Sequence, residues 1–353
     1  TPEYIKALTD KTANCRPIDI QIKHKTVVSS YTHIVEFKDT PVLIGERINP
    51  TGKKRFKQAL IENDIGYILT EGINQQEKGV HILDVNVGLP DINEAEALKN
   101  AVCELQAVTN LPLQIDTSDI TAMEAALRRY NGKAMINSVN GKAESMDAVF
   151  PIVKKYGGVV VALTLDENGI PDTAEGRVQI AERILKKAAE HGINKKDIVF
   201  DTLALTISAD NKAALSTLNA LRIIKNELGC HTVLGVSNVS FGLPNRDIIN
   251  SVFFGMALEN GLSAAIMNPY SADMMKTYYA FNALKGLDKN CEAYINVAES
   301  FIPQTVSTAT KDNKSEQQYS TELQHAIIKG FKEKASEITR SLLQTVAPLE
   351  IVN

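Results

Sequence analysis

The chain has 353 residues, a formal net charge of −4, 44% apolar and 23% charged residues, four cysteines and no tryptophan. The length offers ample core, and a mildly acidic balance without Lys/Arg clusters argues against nucleic acid or an anionic membrane as partner. No apolar run approaches the roughly 18–20 residues needed to span a bilayer, and the opening TPEYIKALTDKT has neither region of a signal peptide. Cys15, Cys103, Cys230 and Cys291 are widely spaced without a CxxC pair, which fits four reduced thiols in a cytoplasmic protein rather than a disulfide framework or zinc site.

Residues 1–40 do not read as the start of a domain. A helix is expected over Pro2 to Leu8, and the pieces IDIQIK and THIVEFK lean towards β-structure. From residue 42 the pattern changes to short apolar runs, each ending in polar residues. They are VLIGERIN (42–49), HILDVNVG (81–88), PLQIDTS (112–118), AMINSVN (134–140), VVVALTLD (159–166), DIVFDTLA (197–204), TVLGVSNVS (232–240) and AAIMNP (264–269). Between them lie segments of helical period such as NEAEALKNAVCELQAV and NKAALSTLNALRIIKNEL. Asn93 and Ser118 stand at N-cap positions, with Glu96 spaced from Asn93 as in a capping box, and Gly192 and Gly229 stand where helices stop.

Eight apolar strands alternating with helices over about 250 residues predict a (β/α)8 TIM barrel. A doubly wound open sheet is the runner-up, but GERINPTGKK does not have the glycine spacing of a dinucleotide-binding turn. Beyond Ile295, FIPQTVSTATKDNKSEQQYS reads as a linker, and the following segment as one amphipathic helix stopped by Pro348. The expected organisation is an N-terminal extension at 1–40, a barrel at 41–295, and a linker plus helix at 296–353.

Chemistry in a barrel sits at the C-terminal ends of the strands. Those positions hold Glu46, Arg47 and Asn49; Asp84 and Asn86; Asp116 and Thr117; Asn137, Ser138 and Asn140; Asp166 and Glu167; Asp201; Ser237, Asn238 and Ser240; and Asn268. Polar groups are costly there unless hydrogen-bonded, so their recurrence on every strand points to function. No strand carries a lysine for a Schiff base, and His81 and His231 stand at strand starts, on the wrong face for catalysis. What remains is carboxylates, amides and hydroxyls with Arg47 and Arg246 as cations, a set suited to a neutral, hydrogen-bond-rich ring. The carboxylates alone would suit Mg²⁺, but the amides outnumber what a metal site needs, and no metal is expected.

The segments GERIN (45–49), LDVNVG (83–88), IDTS (115–118), MINSVN (135–140), DENGIPDT (166–173), FDTLA (200–204) and GVSNVSFGLPNR (235–246) resemble the pterin-binding methyltransferases. The resemblance covers roughly residues 42–290. It implies methyltetrahydrofolate as substrate, with its methyl group passed to a cobalt corrinoid. By motif it implies that Asp116, Asn137, Asp201 and Asp84 hold the pterin, and that Asn238 bonds near N5. Gly235 and Ser237 would line the same wall. Arg246 would steady the loop or meet the substrate's tail, and Glu46 would fix Arg47 or contact the ring. Asn238 and Asp116, with water, are expected to favour N5 protonation as catalytic residues.

The two ends resemble the flanks of the folate domain in cobalamin-dependent members of this family that make methionine. TPEYIKAL is similar to the segment after a homocysteine-binding zinc domain, and the last helix to the opening of the cap of a cobalamin-binding domain. The resemblance therefore implies cobalamin supplied by another domain of the same parent chain and a homocysteine-binding zinc domain upstream. Three alternatives stay open: a freestanding methyltransferase serving a corrinoid iron–sulfur protein, a dihydropteroate synthase-like enzyme, and a non-catalytic pterin-binding module. For the second, AAIMNPYSAD supplies neither the late basic residue nor the phosphate site required.

Overall fold

The structure, a computed structural model, describes residues 1–298 apart from 20, 22 and 91, followed by residues 323, 327 and 332–344. Eight parallel strands close into a barrel: β3 (Val42–Ile48), β4 (Ile82–Val85), β5 (Leu113–Asp116), β6 (Met135–Asn140), β7 (Val159–Leu163), β8 (Ile198–Asp201), β9 (His231–Gly235) and β10 (Ala264–Met267). Each pairs with its sequence neighbours, and β10 closes on β3 through Ala264↔Val42 to Met267↔Gly45. The expected (β/α)8 barrel is the fold, with all eight predicted barrel strands in place.

Helices alternate with these strands. They are α2 (Lys54–Ile61) and α3 (Ile65–Glu77), then α4 (Glu94–Val108), α5 (Ile120–Leu127), α6 (Ala143–Tyr156), α7 (Ala174–Glu190), α8 (Ala213–Asn226), α9 (Arg246–Glu259) and α10 (Ala272–Leu284). Outside this ring stand α1 (Pro2–Thr12), which buries no residue, α11 (Glu292–Ala298) and α12 (Lys332–Leu342). The predicted linker at 301–320 and the stop at Pro348 lie outside the described residues. Among the described residues, no helix is long and apolar enough to cross a membrane.

The strands are apolar on both faces because both are buried. Alternate residues turn outward to the helices: Leu43, Leu83 and Val85, Leu113 and Ile115, Ile136, Val160, Phe200 and Leu234 belong to the large core between barrel and helices. The residues between them turn inward. Val42, Ile44, Ile82, Met135, Val159, Val161, Val199, Val233 and Ala264 form a second cluster inside the barrel.

That inner cluster is capped from below by a short antiparallel hairpin, β1 (Val27–Ser29) and β2 (Ile34–Glu36), which contributes Val28, Val35 and Phe37. Strands this short carry little periodic signal. Ser29 and Lys133 exchange backbone hydrogen bonds at 2.9 and 3.0 Å, and the Tyr130 hydroxyl donates to Ser29 O at 2.9 Å. Gly132 takes φ +145 beneath this contact, and a Cβ there would fall 2.2 Å from Ser29 O. Gly132→Ala should therefore cost about 2–4 kcal/mol by strain and by loosening the floor. A melting temperature equal to that of the wild type would contradict this.

Three local expectations differ. The described residues of IDIQIK form no strand: they are exposed and have no partner strand. The N-cap of α5 is Asp119, not Ser118, because the Asp119 carboxylate reaches Thr121 N and Ala122 N at 2.7 and 3.1 Å. Asn93 caps α4 through Glu96 N at 3.2 Å, but the Glu96 carboxylate turns to Lys99 at 2.5 Å and does not complete a capping box. His81 and His231 do lie at the barrel floor. Leu43 N donates to His81 Nδ1 at 2.8 Å, and His231 Nδ1 lies 3.1 Å from Ser263 Oγ. Burial depresses both imidazoles, His231 to about 4.

Candidate active site

The same alternation that fills the barrel builds the site. The next inward positions above Ile44, Ile82, Gln114, Met135, Val199 and Val233 are Glu46, Asp84, Asp116, Asn137, Asp201 and Gly235. One layer of the barrel is thus polar at the mouth, with Leu163 and Ile266 as its apolar members. Asp84, Asp116, Asn137 and Asp201, expected together, are brought together by β4, β5, β6 and β8.

Adjacent strands set the pairs. Asp84 stands in register with Gln114, whose Nε2 donates to Asp84 Oδ1 at 2.6 Å. Gln114 Oε1 is buried without a partner among the described residues. Asp116 stands in register with Asn137, and its Oδ2 accepts from Asn86 Nδ2 at 3.0 Å. Asn86 Oδ1 accepts from Gly88 N at 2.9 Å, which fixes the amide so that its NH₂ faces Asp116. Asp201 Oδ1 accepts from Leu203 N at 2.7 Å, with Leu203 in the left-handed region at φ +62. The second oxygen of each aspartate has no hydrogen-bond partner among the described residues. Three carboxylate oxygens, on the buried Asp84 and Asp201 and the half-buried Asp116, are therefore open to donors from a ligand.

Burial governs their charge. It pushes Asp84 well above the usual carboxylate range, helped by the neighbouring Asp116 charge. It pushes Asp116 up to about 6 against the Asn86 hydrogen bond, and Asp201 up to about 7 against the Leu203 N–H and the Arg177 charge. Glu46 is raised by burial too, with Lys53 the largest opposing influence. A carboxyl raised on folding adds stability below its unfolded value near 3.8, and that stability is lost as pH rises through its folded value. For Asp201 the window runs from roughly pH 4 to pH 7. Asp201→Asn should therefore match the wild type near pH 4 and exceed it at pH 8 by of order 2–4 kcal/mol. Thermal melts across this range check it, and a constant difference would contradict it.

Above Gly235 the chain enters a short 3-10 turn, Val236–Ser240. The Asn238 amide folds back over the glycine: a Cβ at Gly235 would stand 3.0 Å from Asn238 Nδ2. Asn238 is exposed at the lip. Ser237 Oγ donates to Glu46 Oε1 at 3.3 Å, tying this turn to β3. Arg246 braces the turn, donating from Nη2 to Ser237 O at 2.6 Å and from Nε to Ser240 Oγ at 2.9 Å, and its guanidinium lies 5.6 Å from the Phe241 ring centre. It steadies the loop by these bonds rather than through an ion pair. Glu46 does not fix Arg47, which lies 4.0 Å from Glu71 and 5.6 Å over the Tyr270 ring. Asn238 and Asp116 share no direct hydrogen bond, and Asp116 Oδ2 is taken by Asn86, which leaves its other oxygen for the expected link through water.

Other strand-end residues turn away. Asp166 and Glu167 pair with Arg183 at 3.0 and 3.3 Å, Thr117 Oγ1 bonds Glu94, and Asn140 caps its own loop at Lys142 N. Three residues at the mouth carry no role in the sequence reading. Gln114 was legible, lying two residues before Asp116 on one strand. Lys53 is half-buried and donates from Nζ to Glu46 O at 2.8 Å, reaching the mouth from a loop. Arg177 is 1% exposed and sits in α7, where sequence gives no sign of its burial.

Comparison with known proteins places these residues in context. The sequence pattern of the family described as pterin binding enzyme matches residues 45–268. Methionine synthase of Mycobacterium tuberculosis is 33% identical over 283 residues, covering 76% of this chain and 24% of that protein. Methylcorrinoid:tetrahydrofolate methyltransferase of Eubacterium limosum is 31% identical over 261 residues, covering 72% of this chain and 94% of the relative. The chain thus spans about a quarter of the length of the methionine synthase it matches. Among solved structures, dihydropteroate synthase of Xanthomonas albilineans with 4-aminobenzoic acid aligns with a TM-score of 0.57 over 74% of this chain and 98% of the other, at 18% identity. A likeness at that identity shows a shared barrel.

Proposed function

This chain belongs to the pterin-binding enzyme family, and on that footing we propose that it is a methyltransferase acting on a reduced folate. In this reading it binds 5-methyltetrahydrofolate at the barrel mouth and gives up the N5 methyl group to cob(I)alamin carried by another domain of a methionine-synthase-like protein. The observation that carries it is the mouth itself: two buried aspartates, Asp84 and Asp201, and the half-buried Asp116, each with one oxygen open to a donor, lie below an exposed asparagine amide folded over a glycine.

A pterin presents adjacent N–H and NH₂ donors along one edge and mixed donors and acceptors on the other. Asp116, Asp201 and Asp84 suit the donor edge, and Asn137 supplies both a donor and an acceptor. Hydrogen bonds from the ring to ionised carboxylates are worth roughly 1.5–3 kcal/mol each and offset the cost of charging these buried groups. Binding should therefore lower the carboxyl pKa values that burial raises.

The N5 of the substrate is a tertiary amine and a poor leaving group until it gains positive character. In this reading the Asn238 amide hydrogen-bonds that nitrogen as charge develops, and its exposure at the lip on the Arg246-braced turn supports the role. Asp116 would act through water and its Asn86 partner. The corrinoid supplies the nucleophilic electron pair when its carrier domain docks. No residue here is assigned to hold it, and the mouth residues fit the ring rather than the metal group.

The cobalamin-binding domain, and a homocysteine-binding zinc domain upstream of the 1–40 extension, complete this reading, with residues 296–353 leading into the cap of the former. A freestanding form of the same chemistry is the second reading, supported by the match to 94% of the Eubacterium limosum methyltransferase. Titration with 5-methyltetrahydrofolate, followed by folate absorbance or heat, tests the binding half. Saturable binding that weakens in Asp201→Asn is expected; absence of saturation would contradict the proposal.

A further inference from the structure

Arg177 is the largest fully buried side chain among the described residues, and its position is an expensive one for a cation. It stands in the first turns of α7 and reaches Thr217 near the start of α8, so the positive ends of two helix dipoles face it. Its hydrogen bonds all go to neutral acceptors: Nε to Pro171 O at 2.9 Å, and Nη1 to Thr202 O at 2.7 Å, Leu203 O at 3.2 Å and Thr217 Oγ1 at 2.9 Å. No carboxylate among the described residues lies within ion-pair distance of it. A buried charge in such a place calls for an anion nearby.

One residue connects it to such an anion. Leu203 accepts from Arg177 through its carbonyl and donates through its N–H to Asp201 Oδ1 at 2.7 Å. Its left-handed conformation lets both groups of one residue serve the two charges. We propose that Arg177 is a positioning residue for the candidate pterin site, holding the Leu203 turn in place and keeping the Asp201 carboxylate ionised as the acceptor the ring requires. This rests on the reading of Asp201 as a pterin contact.

The surrounding charges favour this pairing. Asp201 feels Arg177 as its one opposing charge, while β7 and β9 place Leu163 and Val233 beside it in register. Arg177 feels Asp201 first, then Asp172 before α7 and Asp210 before α8, both of which are exposed. Pro171 O adds a link from the β7–α7 loop to the same guanidinium.

The test is a pH titration of the Asp201 carboxyl carbon by NMR in the free protein, for wild type, Arg177→Lys and Arg177→Gln, with 5-methyltetrahydrofolate affinity measured alongside. The Gln variant should move the Asp201 midpoint up by roughly one unit, and its affinity should fall about fivefold at pH 7 and recover near pH 9. The Lys variant, which keeps the charge, should stay near the wild-type midpoint. Thr217→Val, which removes a hydrogen bond but no charge, should leave the midpoint in place. An unmoved Asp201 midpoint in Arg177→Gln would overturn the inference while leaving the pterin reading intact. Wild-type affinity in Asp201→Asn would instead sink the pterin reading. If Arg177→Gln is unfolded at pH 8, its recovery of structure at pH 6, where Asp201 takes up a proton, is the expected result. Unfolding at both values would mark the role as packing and contradict the inference.

Discussion

Asn238→Ala should lower methyl transfer from 5-methyltetrahydrofolate by about 10²–10⁴-fold while changing affinity for the folate only a few-fold. The asymmetry follows from where the side chain sits. Asn238 is exposed at the lip with its amide against Gly235, outside the layer of buried acceptors that would hold the ring. Its contribution is placed on charge that develops at N5, and an interaction made mainly in the transition state raises the rate without tightening the ground state. The turn that carries it is fixed independently by Arg246 and by the Ser237–Glu46 bond. Truncating the amide therefore leaves the wall standing. Rapid-mixing measurement of tetrahydrofolate release gives the rate, and equal rates in variant and wild type would remove Asn238 from the chemistry.

Asp116→Asn should show the opposite pattern, with affinity lost first. Asp116 offers the ring one open oxygen, and its other oxygen accepts from an Asn86 amide whose orientation Gly88 N fixes. An asparagine here must point its oxygen at Asn86 to keep that bond, which turns its NH₂ towards the ring's own donors. Two donors then face each other in a buried site, at a cost of about 1–3 kcal/mol. That corresponds to roughly a 5–150-fold weaker Kd. The loss should be larger at pH 8 than at pH 5, because the wild-type carboxyl titrates at about 6 and accepts best when ionised. Calorimetric titration at both values checks this, and unchanged affinity at pH 8 would exclude Asp116 from the ring contacts.

The barrel and the polar layer were legible for one reason, the period of two along buried strands. Once Ile82 and Val199 are inward, Asp84 and Asp201 must be inward as well, and the mouth follows from the sequence alone. Three kinds of feature were not legible. Of the hairpin at 27–36 only the second strand showed, in the β-leaning THIVEFK; the pairing with Val27–Ser29 and the role as the barrel floor depend on contacts with Lys133 and Tyr130 a hundred residues away. Lys53 belongs to a loop, and spacing along the chain does not say how far a loop side chain reaches back. Arg177 looks like any charge in the opening of a helix until its burial shows that it faces inward. Arg246 carried two roles in the sequence, steadying the loop or meeting a substrate tail, and its bonds to Ser237 O and Ser240 Oγ speak to the first alone.

The claim that this mouth removes a methyl group from a reduced folate is tested most directly in a single-turnover reaction. The protein is mixed with 5-methyltetrahydrofolate and free cob(I)alamin under anaerobic conditions, and tetrahydrofolate is quantified over time. Protein-dependent formation of tetrahydrofolate, slowed by about 10²–10⁴-fold in Asn238→Ala, is the predicted result. Saturable folate binding with no tetrahydrofolate formed would contradict it and leave a pterin-binding module without methyl transfer.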